Sequence, residues 1–302
     1  MKLLLALLCI GLIPCQAQDK QVVLEKIFTL RDPAEFSTAI QEAEKAGIPD
    51  QVRLEARFLY YIDHKDNNAI AKLSDEFLKL KDKFDPAQSE IFSVTEDWLA
   101  VVHYTQAIAA LQKNDKANFK KHITEAFWLS PAQAPAYAPH IEKLHLNEAM
   151  ASVTIKPDQP FTNIRNGKQV TFKDALAKNK AVLLHFWSPW AQETLNEDFV
   201  LTANELNKHD IRVVSVLAES SPELIEDATK TIEESAKNVT CLWTLDDKDQ
   251  PLARTLRIQD APTMVLINKE GKVLFNGHPA EKEFWKALQK ISPELNRPDS
   301  KE

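Results

Sequence analysis

Phe186-Trp187-Ser188-Pro189-Trp190-Ala191-Gln192-Glu193-Thr194 is the stretch on which the reading of this chain turns. It continues a run of apolar residues, Ala181 to Phe186, that has the length of a buried strand. It leads into a segment where Leu195, Phe199, Ala203 and Leu206 recur on one helical face. Further on, Ile211 to Leu217 reads as a second buried strand, and Pro222 to Lys237 as a charged helix. Val239 to Leu245 is strand-like, and Gln250 to Leu256 is a short helix. Thr263 to Ile267, Gly271, and Lys272 to Phe275 read as a hairpin, and Glu281 to Ile291 as a closing helix. Strands alternating with helices, then a hairpin and a helix, specify an α/β layer fold over residues 166–292, with 293–302 left as a tail.

Upstream the pattern changes. Residues 149–165 hold Pro157 and Pro160 without a helical period and read as a linker. Residues 19–148 read as an all-α domain. Asp32-Pro33 is an N-cap followed by Pro at the first helical position, and Gly47 ends that helix. Asp50 opens a second helix, and Asp66 a third carrying Ile70, Leu73, Phe77 and Leu80. Asp85-Pro86 repeats the cap signal before a long helix with Trp98, Leu99, Val102, Ile108 and Leu111, and Asn114 caps another. Between His103 and Pro131, Ala107, Ala126 and the closing Pro resemble a tetratricopeptide unit. No second clean copy follows, so a bundle and a TPR-like array of hairpins both remain open.

The first 17 residues read as a secretory signal peptide: Lys2, an apolar run from Leu3 to Ile13, and small residues at Cys15 and Ala17 before the cut. The run is too short for the ~20 residues that span a bilayer. Export to the periplasm or the extracellular space is the expectation. Lipoprotein anchoring at Cys15 ranks behind it, because Pro14 fits a lipobox poorly. Cleavage would remove two of the three cysteines, Cys9 and Cys15, and leave Cys241 without an internal disulfide partner. The formal charge of −7 becomes −8 once Lys2 is lost, which disfavours nucleic acid as a partner. The 44% of hydrophobic residues is enough for two sizeable cores. No later segment is apolar enough to cross a membrane, no zinc or haem pattern is present, and no cofactor is expected.

Residues 155–291 resemble the TlpA/ResA-like branch of the thioredoxin superfamily. Asn166-Gly167-Lys168-Gln169-Val170-Thr171-Phe172 is similar to its opening hairpin, and Ala181 to Trp187 to its central strand. Ala261-Pro262-Thr263 is similar to its cis-proline loop, followed by the Asn268 to Lys272 turn. The resemblance places Phe186 to Thr194 on the run Phe-Trp-x-x-Trp-Cys-x-x-Cys. Ala191 then stands for the nucleophilic cysteine and Thr194 for the resolving one, with Gln192 and Glu193 between them. Dithiol exchange needs a thiolate to attack and a second thiol to resolve, and neither is here. His185 stands where the family often has a buried Asp that assists proton transfer. The resemblance also implies a peptide groove from Trp190, Ala261, Pro262 and Thr263, where extended substrate backbone pairs by β-augmentation. Trp190 and Pro262 are equally readable as residues the fold itself requires.

Two functions follow as expectations. One is an exported, redox-inactive thioredoxin-fold module that binds a protein or peptide partner, with the helical domain as a second surface. The other is an enzyme, acting through Cys241 alone or through a non-redox site at His185 and Glu193. Glu193 also suits a helix start, where the dipole favours a carboxylate, and a metal on His185 and Glu193 lacks a third ligand. The position of Cys241 decides between the two: an accessible thiol favours the enzyme, a buried one the module.

Overall fold

The computed structural model describes residues 15–191, 195–217, 219, 221–246 and 248–298. Residues 1–14 of the expected signal peptide, and Gln192, Glu193 and Thr194 of the Phe186–Thr194 stretch, lie outside the described residues. The chain divides into two compact units, Met1–His140 and Ile141–Glu302.

The first unit is helical: α1 (Cys15–Thr29), α2 (Pro33–Lys45), α3 (Asp50–Asp63), α4 (Asn67–Lys72), α5 (Ser74–Leu80), α6 (Thr95–Gln112) and α7 (Lys116–Leu129). The next helix, α8 (Ala134–Met150), runs across the division. Asp32 caps α2 by accepting from the Ala34 and Glu35 amides, and Asp66 caps α4 in the same way. Three expectations change. The third helix breaks at Leu73 into α4 and α5. Asp115 rather than Asn114 caps α7, while Asn114 takes a left-handed φ of 56°. Asp85-Pro86 opens no helix. Buried Gln51 and Glu55 of α3 bind that segment instead: Gln51 bonds both the amide and the carbonyl of Asp85, and Glu55 accepts from the Glu90 amide. With its backbone satisfied as a loop, the chain delays α6 to Thr95.

The second unit is built on a seven-stranded sheet. Its strands are β1 (Pro160–Asn163), β2 (Gln169–Thr171), β3 (Ala181–Trp187), β4 (Ile211–Leu217), β5 (Leu242–Leu245), β6 (Thr263–Asn268) and β7 (Val273–Gly277), in the order β2-β1-β5-β4-β3-β6-β7. The helices are α9 (Phe172–Leu176), α10 (Glu197–Lys208), α11 (Pro222–Ser235), α12 (Pro251–Thr255) and α13 (Lys282–Ile291). β3 is central, parallel to β4 and antiparallel to β6. Every residue of β3 is buried. Alternate residues serve two cores: Ala181, Leu183 and Trp187 pack with α10, α11 and α13, and Val182, Leu184 and Phe186 with α9 and α12.

The stretch expected to be a linker is structured. β1 lies in it and pairs with both β2 and β5, and Ile155 is buried in the second core. The Ile155 amide donates to the Gly271 carbonyl at 2.8 Å. A Cβ on Gly271 would sit 2.2 Å from the Ile155 carbonyl oxygen, and φ there is +77°, so the hairpin turn needs glycine at this position. Past the last helix, in the expected tail, Leu295 is fully buried.

In the first unit Trp98 is completely buried against Phe77 and Phe84 at 5.0 Å and Phe92 at 5.9 Å. Trp98→Ala should therefore cost about 3–5 kcal/mol. The check is urea unfolding followed by circular dichroism; a loss under about 1 kcal/mol would mean that this aromatic cluster is not a core.

Candidate functional site

The β3–β6 register pairs Phe186 with Thr263. This puts the turn after β3, residues 188–191, and the loop before β6, residues 260–262, at the same end of adjacent strands. The Ala261–Pro262 peptide bond is cis. Trp190 is 62% exposed, yet it is held: its indole N–H donates to Asp227 Oδ2 on α11 at 2.7 Å. Below it the Ala191 amide donates to the Ser188 carbonyl at 3.2 Å.

The residues expected to form a groove do not all meet. Ala261 and Pro262 line a cavity of about 380 Å³, with His185 and Phe199 in its wall. Trp190 and Thr263 are not part of that lining. Trp190 is turned to α11, and the Thr263 hydroxyl donates to the Asp260 carbonyl at 2.6 Å.

His185 sits in the middle of β3 and has no exposed surface. Its ring stacks on Phe199 with centroids 4.1 Å apart, and Nδ1 lies 3.0 Å from Ser215 Oγ. Burial pushes its pKa down to about 3, so the ring is neutral at any ordinary pH. Its Nε2 has no hydrogen-bond partner among the described residues. A buried polar group left in that state costs about 1–3 kcal/mol. Such a ring is a poor general base, because its pKa lies far from the operating pH.

Cys241 precedes β5. The residue is half-buried, but its sulfur points into the sheet, 3.2 Å from Ser215 Oγ and 3.5 Å from the Val213 carbonyl oxygen. Burial pushes the thiol up to about 11, the reverse of what a reactive cysteine needs. Ser215 thus joins the two secondary candidates in one buried line, Cys241–Ser215–His185. Sequence reasoning missed Ser215. Its signal was a single hydroxyl inside the apolar run Ile211 to Leu217. Asp227 was missed too, and one acid among many on a charged helix gave no signal. Among the described residues, no group of three or more His, Cys, Asp or Glu side chains is placed to hold a metal ion.

Residues 168–292 match the family model of a thioredoxin-like domain. No curated protein matches the chain. Solved structures similar to it include the thioredoxin domain of a thiol-disulfide oxidoreductase from Bacteroides vulgatus, at 22% identity, covering 46% of this chain and 97% of that one, with a TM-score of 0.37. A thioredoxin-like protein from Aeropyrum pernix is 18% identical over 54% of this chain and 99% of its own, with a TM-score of 0.34. A thiol:disulfide interchange protein from a Bacteroides species is 22% identical over 46% and 89%, with a TM-score of 0.36. The chain therefore has a helical amino-terminal region and a carboxy-terminal thioredoxin-like α/β domain.

The thiol environment can be measured. At pH 8 a thiol of pKa about 11 is about one part in a thousand thiolate, against about one in ten at the ordinary 9.0. Native Cys241 should react with dithionitrobenzoate about a hundredfold more slowly than the same thiol in guanidinium. Equal rates would place the sulfur at the surface.

Proposed function

We propose that this is an exported binding module on a thioredoxin-like scaffold that no longer carries out dithiol exchange. The observation that carries the reading is the contrast at the altered turn. The side chain presented there is an aromatic, Trp190, held outward by Asp227. The sulfur of Cys241 lies instead in the sheet, with its thiolate disfavoured. Ala191 has no nucleophile to offer in its place. A tryptophan tethered by one hydrogen bond gives contact area with little ordering cost, which suits an anchor for an apolar segment of a protein or peptide. The Ala261–Pro262 loop lies at the same end of the sheet, beside the turn, where extended chain could pair with exposed backbone.

In this reading Ala191-Gln192-Glu193-Thr194 is a Cys-x-x-Cys motif that has lost its function, within the TlpA/ResA-like branch. The helices of the first unit supply a second, TPR-like surface, for which the neighbouring α6 and α7 with buried Ala107 and Ala126 give support. The leader pattern of residues 1–17 supports export to the periplasm or beyond, with anchoring at Cys15 as the lesser variant. No helix among the described residues is long and apolar enough to cross a membrane. An enzyme acting through Cys241 or His185 is the weaker reading, because both groups are buried in their neutral forms.

The mature protein should not accelerate the reduction of insulin by dithiothreitol. Ala191→Cys with Thr194→Cys should then form an intramolecular disulfide. Turnover by the unaltered protein that disappears in Cys241→Ala would overturn the module in favour of a single-cysteine enzyme. A folded double variant that does not oxidise would show that the motif is misaligned.

The groove has its own test, with reduced, carboxymethylated insulin B chain as an extended-chain probe. Trp190→Ala should weaken its binding at least tenfold, in line with the ~2 kcal/mol of an aromatic anchor. Asp227→Ala, which frees the indole without removing it, should cost about two- to tenfold. Unchanged binding in both would move the function to the helical unit.

A further inference from the structure

His103 on α6 and His122 on α7 meet through their Nδ1 atoms, 3.0 Å apart. Their ring centroids are 5.3 Å apart. The difference is the width of one five-membered ring, so both nitrogens lie close to the line between the centroids. Each Nδ1 is thus aimed at the other, and the contact is a single N–H···N hydrogen bond. Both residues are half-buried. Neither Nε2 has a hydrogen-bond partner among the described residues, and neither is sealed from solvent.

This contact limits how many protons the pair can hold. Two neutral imidazoles share one hydrogen between the facing nitrogens, whichever ring supplies it. In the donating ring the outer Nε2 is then a free base. In the accepting ring Nε2 carries the hydrogen. A first added proton goes to the free outer nitrogen and leaves the N–H···N bond intact, now charge-assisted. A second has only the accepting Nδ1 to take, and the contact occupies that nitrogen. Two imidazolium rings would face each other N–H to N–H, with like charges. The pair is compatible with one added proton and incompatible with two.

The surroundings work against charge. Both rings titrate below the ordinary 6.5, His103 through burial and then through His122 and Lys81, His122 through burial and then Lys121. Lys81 comes from the 3₁₀ turn Lys81–Lys83, and Lys121 from α7. Glu125 of α7 opposes them. α6 carries no charged residue between Trp98 and Gln112. With α7 detached, both rings take protons at the ordinary 6.5, so the contact is complete well above that pH and weakens as the pH falls.

We propose that His103 and His122 form an acid-released latch between α6 and α7, closed while the pair holds one added proton or none, and opened by the second. It governs access to the buried side of α7, where Phe119, Ile123 and Ala126 lie. The latch belongs to the helical unit and does not depend on what the carboxy-terminal unit binds.

In mature protein carrying ¹⁵N-histidine, a scalar coupling between the two Nδ1 nuclei should be seen at about pH 7.5, as an N–H···N hydrogen bond requires. The pair should titrate in two steps at least about one pH unit apart, and the coupling should vanish with the second step. Over that step the amides of Phe119, Ile123 and Ala126 should lose about tenfold or more in hydrogen-exchange protection, corrected for intrinsic rate, while those of α3 keep theirs. His103→Gln with His122→Gln, where neither position titrates, should abolish this loss. Glu125→Gln should move the second step to lower pH, and Lys121→Gln to higher pH. If the double variant does not fold, the coupling and the two charge variants decide. No coupling at neutral pH, a coupling that survives both steps, or two independent titrations would overturn the latch. So would a loss of protection shared equally by α3, which is global unfolding, or one that persists in the double variant. Zinc(II) that displaces the shared hydrogen at micromolar concentration would make the pair a metal site instead.

Discussion

Complete burial of β3 is the constraint on which the carboxy-terminal unit depends. Seven consecutive residues, Ala181 to Trp187, have helices on both sides of the sheet and strands on both edges. No position in such a strand can send a polar group to water, so a polar side chain there depends on partners from within. Six of the seven are apolar, and the exception is His185. Ser215 on the neighbouring strand answers one of its nitrogens. The ring stacks on Phe199 of α10 and so helps to seat that helix against the sheet. The end of β3 also fixes the turn that carries Trp190, because that turn begins where this strand meets the start of β6 at Phe186 and Thr263.

The same burial separates two kinds of group. Hydroxyl, thiol and imidazole lie in line across the sheet, each held neutral by desolvation or by its neighbour. The indole of Trp190 is outside, steered by a carboxylate of α11. Reactivity in a thiol or an imidazole requires the charged form to be within reach, and burial removes it. Recognition by an aromatic ring requires exposure and a defined orientation, and the turn supplies both.

Much of the fold was legible in the chain. The strands at Ile211 to Leu217 and Thr263 to Ile267 could be read because a run buried on both faces is apolar throughout. The Asp-Pro cap at residue 32 was legible because its partners are local in sequence. The same dipeptide at residue 85 misled, since Gln51 and Glu55, more than thirty residues earlier, satisfy that segment as a loop. β1 was read as linker for a related reason. It is four residues long and is stabilised by pairing to β5, some eighty residues away. At the site, Trp190, Pro262, His185 and Cys241 stood out by residue type. Ser215, which meets His185 and Cys241, and Asp227, which holds Trp190, did not, because a hydroxyl or a carboxylate becomes a partner only by where the fold brings it.

A histidine within β3 then has a physical logic. In the family that this domain resembles, a buried carboxyl at the position of His185 serves to move a proton for a cysteine pair. Such a group must be able to change charge, and its burial is tolerable because the chemistry uses it. A buried ionisable acid at this position would carry the desolvation cost of its charged form. A neutral imidazole is the less costly occupant. Burial makes it stay neutral, and Ser215 pairs with its Nδ1. A strand selected only for packing would have filled the position with an apolar residue, as it has filled the other six.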